Sequence, residues 1–84
     1  MDATEAGWRD DGAALVRELR FADFASAMAF VNRVAQAAED AGHHPDILVH
    51  GWNNVVLTLA THSAGAVTDA DHALARVIDG LVDR

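Results

Sequence analysis

The segment between Asp23 and Pro45 most constrains what this chain can fold into. Asp23 is a residue type that caps a helix start, because its carboxylate can accept from the first free backbone N–H groups. Phe24–Ala41 then places Phe24, Ala27, Met28, Val31, Val34, Ala35 and Ala38 on one helical stripe. Asn32, Arg33, Gln36 and Asp40 fall largely outside it. Gly42 stands where a left-handed residue closes a helix. Pro45, the only proline, prevents the helix from resuming. A helix stopped at both ends must bury its stripe against something supplied by the flanking segments.

The flanks read as strands and a second helix. Residues 1–6 are small and polar and are expected to fray. Residues 7–9 open a short strand, and Asp10-Asp11-Gly12 is a turn signal. Residues 13–21 read as a strand with Leu15, Leu19 and Phe21 on one face and Arg17 as the exception. Asp46–His50 is a short strand, and residues 51–54 supply a turn. Residues 55–62 form the clearest strand, with Val55, Leu57 and Leu59 on one face and Val56, Thr58 and Ala60 on the other. Residues 63–67 form a loop. Thr68 and Asp71 bracket a helix start in a capping-box arrangement. Ala70, Ala73, Leu74, Val77, Ile78 and Leu81 make its stripe. The order β-β-α-β-β-α predicts an α+β fold: a two-layer structure of four antiparallel strands with the helices on one face.

Length and charge narrow the function classes. The 84 residues, taken as one domain over 1–84, give a thin core; such a domain buries only about 60–65% of the surface its unfolded chain exposes. That thinness, and the mild outer face of the strand over 55–62, predict a homodimer or homotetramer. Thirteen acidic residues against six basic ones give a net charge of −7, which argues against direct binding to nucleic acid. The absence of cysteine removes disulfides and thiolate metal sites. No apolar run approaches 18 residues and no basic, hydrophobic leader opens the chain, so the expectation is a soluble, cytoplasmic protein without a membrane partner.

Four of the five histidines lie between Glu39 and His62. Histidine ordinarily titrates near pH 6.5, so His43, His44 and His62 can exchange protons under cellular conditions. Glu39 sits four residues before His43, within reach if the last helical turn holds. Each residue also has a plainer reading: Glu39 as a solvated acid, His43 and His44 as loop residues, His62 as a strand-end residue, Asp71 as a helix cap, Trp52 as a core or turn residue. His50 and His72 read as surface residues. A zinc site is poorly served, because adjacent histidines rarely chelate one tetrahedral ion and no H-E-x-x-H helix is present. Ser26 and Ser63 lack the glycines of a nucleophile elbow.

Together these residues resemble the signature of the pterin-4a-carbinolamine dehydratase family. The match runs through Glu39, three spacers, His43, His44, Pro45, six spacers, Trp52, nine spacers, His62 and then Asp71. Gly7-Trp8, Arg20-Phe21-Ala22-Asp23-Phe24 and the segment over 57–62 are also similar to family members. Trp52 stands where many members have Tyr.

The resemblance implies a four-stranded antiparallel sheet backed by helices. It implies dehydration of 4a-hydroxytetrahydropterin to quinonoid dihydropterin, a step in recycling the pterin of aromatic amino acid hydroxylases. No metal or organic cofactor is implied. His43 and His62 are expected to transfer protons, Glu39 to orient His43, and Asp71 to support His62. His44, Pro45 and Trp52 are expected to bind the pterin. The rival readings are a non-catalytic dimerisation or assembly cofactor on the same fold, and a His-lined ligand-binding domain of another class.

Overall fold

The computed structural model describes residues 7–82. The segment expected to fray, residues 1–6, lies outside the described residues. The element order is β1 (Trp8–Asp10), β2 (Leu15–Arg20), α1 (Phe24–Ala41), β3 (Asp46–His50), β4 (Asn54–Leu59) and α2 (Asp69–Val82). The fold is α+β, as the order of segments predicts. The strands form one antiparallel sheet in the order β1-β2-β4-β3.

Sheet register puts the apolar alternation to use. Leu15 pairs with Leu59, Arg17 with Leu57, and Leu19 with Val55. Leu15, Val55, Leu57 and Leu59 are fully buried, while Val56 and Thr58 on the opposite face are only half-buried. Period-two burial of this kind is what an antiparallel sheet covered on one side requires. The covering layer is the two helices, whose Phe30, Val34, Leu74 and Ile78 complete the core.

Both helices sit rotated from their expected stripes. In α1 the buried residues are Ala27, Phe30, Val34 and Ala38. Phe24 is 55% exposed and Ala35 is exposed, so the inward face turns by roughly 50° toward Phe30, half of one 100° residue step. In α2 the buried set is Asp71, Leu74, Ala75 and Ile78, leaving Ala70, Ala73 and Val77 outward. Specific polar partners pull Asp71 inward, and a count of apolar residues cannot register them.

Arg17, the charged residue on the inner face of β2, also has a tertiary reason. Its Nη1 lies 2.5 Å from Oδ1 of Asp79 on α2. The same oxygen accepts from Trp8 Nε1 at 2.8 Å. This three-residue cluster ties both N-terminal strands to the C-terminal helix. Neither helix is long and apolar enough to cross a membrane.

Candidate active site

The C-terminus of α1 aims the first histidine. Gly42 adopts φ 64° and ψ 29°, a left-handed conformation that costs glycine little. Its N–H donates to Glu39 O at 3.2 Å, and the N–H of His43 donates to Ala38 O at 3.2 Å. This is the Schellman arrangement, which sets the direction in which the chain leaves the helix. His43 therefore departs toward the N-terminal end of α2.

There it meets Asp71. His43 Nε2 lies 2.5 Å from Asp71 Oδ1, with the histidine side chain 19% exposed and the carboxylate fully buried. Asp71 Oδ2 accepts from Thr61 Oγ1 at 2.8 Å and from the backbone N–H of Thr68 at 2.9 Å. Burial pushes the Asp71 carboxyl toward its neutral form. The bonds from His43, Thr68 N–H and Thr61 together outweigh burial and hold its pKa below the usual carboxylate range. An ionised carboxylate only accepts, so His43 Nε2 must carry the hydrogen it donates. In the neutral ring that leaves Nδ1 as the acceptor.

Glu39 goes to the other histidine. Its Oε2 lies 2.5 Å from His44 Nε2, and both side chains are largely in solvent, at 70% and 62% exposure. The expected pairings of Glu39 with His43 and of Asp71 with His62 are thus replaced by Glu39–His44 and Asp71–His43. The turn at Gly42 carries His43 away from the last helical turn, which brings the following residue back over Glu39.

His62 is displaced from its expected strand end. The strand stops at Leu59, and Thr61 forms an isolated bridge with Ala66 that closes the turn on which His62 sits. A cleft of about 420 Å³ opens between this turn and the end of α1. Residues 42–46 form one wall, bearing His43, His44 and Pro45; residues 60–63 form the other, bearing His62. The cleft is therefore lined by three histidines, two from one wall and one from the other, and His43 among them is anchored on a buried carboxylate. That is an arrangement able to give and take protons at near-neutral pH. Among the described residues, no group of three or more His, Asp or Glu side chains is arranged to hold a metal ion.

Trp52 is the site residue the fold does not bring in. It lies in the β3–β4 hairpin with φ 59° and is 60% exposed. The cleft borders the start of β3 and the end of β4, so Trp52 sits at the opposite end of the sheet. Five residues of β3 intervene, roughly 17 Å of strand at about 3.3 Å per residue. Conversely, Thr61 contacts Asp71 without having been singled out in the sequence. Its partner Thr68 was legible as a helix cap; Thr61 carried no signal of its own.

Comparison with known proteins bears on the family and the fold. Residues 1–81 match the sequence profile of the family described as Pterin 4 alpha carbinolamine dehydratase. A relative from Thermomicrobium roseum, provisionally named a pterin-4-alpha-carbinolamine dehydratase, is 57% identical over 75 residues, 89% of this chain and 80% of that protein. The crystal structure of a transcriptional coactivator/pterin dehydratase from Brucella melitensis superposes with a TM-score of 0.82 at 36% identity, covering 89% of this chain and 81% of that one. A pterin dehydratase-like protein described as a RuBisCO assembly factor in the alpha-carboxysome superposes at 0.75 with 27% identity, covering 96% and 95%. With nearly its whole length matched by the profile, the chain belongs to the pterin 4 alpha carbinolamine dehydratase family.

Proposed function

We propose that this protein dehydrates 4a-hydroxytetrahydropterin to quinonoid dihydropterin, a hydro-lyase reaction in pterin recycling. The observation that carries the reading is the cleft with His43, locked on Asp71, on one wall and His62 on the other. Loss of water from a carbinolamine needs a base to take the ring N–H proton and an acid to protonate the departing hydroxyl. The nitrogen electron pair then forms the C=N bond as water leaves. Two histidines on opposite walls supply one group for each transfer, and imidazole is a side chain suited to both general-acid and general-base work. The cleft's volume lies within the ordinary range of small-molecule pockets.

Asp71 holds the His43 ring and stabilises it when protonated. His44, tethered to Glu39 at the solvent rim, fits a binding role, as does Pro45 beside it. We place the reaction in the cytoplasm and read the working form as a homodimer or homotetramer. A dehydration assay on purified protein tests the reading. The expected result is acceleration over the spontaneous reaction, lost in a folded His43→Ala/His62→Ala variant. A wild-type protein that gives no acceleration sinks it.

The second reading is a non-catalytic assembly role, favoured by the likeness to the RuBisCO assembly factor. It asks nothing of the histidines, so the double variant would keep such a function intact.

A further inference from the structure

We infer that Thr61 is a positioning residue that acts through Asp71 to set the proton affinity of His43. The inference rests on the dehydratase reading for its catalytic meaning, but its structural content stands on a bonded chain of four groups. Thr61 Oγ1 lies 2.7 Å from Thr68 Oγ1 and 2.8 Å from Asp71 Oδ2. A hydroxyl has one hydrogen to give. The ionised carboxylate takes it, so Thr68 must donate to Thr61. The chain then runs Thr68 O–H to Thr61 O–H to Asp71 Oδ2, and from His43 Nε2–H to Asp71 Oδ1.

Thr61 is therefore placed between the two candidate proton-transfer groups. Its backbone bridges Ala66 and closes the turn that presents His62. Its side chain ends on the carboxylate that holds His43. Each donor to Asp71 stabilises negative charge on that carboxylate and so weakens its pull on a proton at His43. Other ionisable groups around His43 lie in the cleft: His62 on the facing turn, His44 and Asp46 on its own segment, with Glu39 occupied by His44. None of these donates to the fully buried Asp71; apart from His43 itself, Thr61 and the Thr68 N–H are its only donors among the described residues.

Thr61→Val keeps the shape and removes the donor. Asp71 stays located by the Thr68 N–H, and its charge becomes more available to His43. The His43 titration midpoint, followed by NMR on the protein alone, is expected to rise by about half to one pH unit. The limb of the pH–rate profile that follows His43 should move with it, while KM stays within about twofold. Thr61→Ser restores the hydroxyl and should return both to wild-type values. A merely structural role would lower the melting temperature and leave the His43 midpoint where it was.

An unmoved or lowered midpoint in folded Thr61→Val overturns the inference, as does failure of Thr61→Ser to restore it. If Thr61→Val does not fold, Thr68→Val removes the hydroxyl that directs Thr61's hydrogen. It should raise the midpoint by a smaller amount, and no rise there overturns the inference equally. The NMR readout needs no turnover. A wild type without dehydratase activity would therefore sink the proposed reaction while the midpoint still decides the role of Thr61.

Discussion

His43 Nε2 and Asp71 Oδ1 lie 2.5 Å apart although 28 positions separate them in the chain. The pair joins the end of α1 to the start of α2 and anchors His43 on one wall of the cleft. It also reassigns the acids: Asp71 serves His43, and Glu39 serves His44. The distinction matters because one pair is buried on the carboxylate side and the other is in solvent. A buried partner can hold a ring in a single orientation, whereas an exposed pair is weakly coupled and screened by salt.

The histidines should separate by kinetic parameter. Removing His43 or His62 is expected to lower kcat more than it raises KM, within the roughly 10²- to 10⁴-fold range of general acid–base groups. Spontaneous dehydration makes single losses shallow, so the double variant is the sharper measurement. His44→Ala and Glu39→Gln should raise KM more than they lower kcat, the signature of lost uniform binding. A folded double variant with wild-type turnover would refute these roles.

Asp71 should make the fold acid-sensitive. Its carboxyl is held below the ordinary range in the folded protein, so the unfolded chain binds that proton more readily. Stability from this group is present above the unfolded value, about pH 4, and is lost as pH falls through the lowered folded value. Asp71→Ala should lower stability at pH 7 by about 1–3 kcal/mol, because it strands donors that face a buried site. It should also flatten the melting temperature below about pH 4 relative to wild type. Parallel profiles for the two proteins would count against the network.

Asp79→Ala should destabilise without touching the cleft. The carboxylate serves both Trp8 Nε1 and Arg17 Nη1, and the Arg17–Asp79 side chains are only 17% and 22% exposed. Loss of about 2–3 kcal/mol is expected, somewhat below the cost of breaking a fully buried pair. Chemical denaturation measures it. A loss confined to kcat, at unchanged stability, would show that the cluster does something other than join the N-terminal strands to α2.

Self-association should be visible in solution. Leu48 on the edge strand β3 is 55% exposed, and Val56 and Thr58 leave the outer sheet face only mildly polar. Sedimentation at micromolar concentration is expected to give at least a dimer. A clean 8.9 kDa monomer would contradict this.

What the sequence determined by itself was local. Asp23 at the start of α1 and Gly42 at its end give both termini, because capping needs only a side chain or a left-handed residue within a few positions. Strand alternation over Val55, Leu57 and Leu59 sufficed to assign the buried face of β4. The spacing from Glu39 through Asp71 marked the cleft region, because residue types and intervals are visible in one dimension.

Tertiary structure decided which group faces which. Asp71 is buried by Thr61, Thr68 and His43, all from outside its own helix, and that set the rotation of α2 that an apolar stripe misplaces. Arg17 is tolerated on an inner face because Asp79 lies across the core. The acids exchanged histidines because the turn at Gly42 redirects the chain by an angle no interval encodes. Trp52, equally spaced in the signature, ends at the far side of the sheet because two antiparallel strands carry it away from the cleft. Intervals along a chain set how far apart residues can be; only packing determines which polar groups meet, because each such contact is chosen by partners distant in sequence.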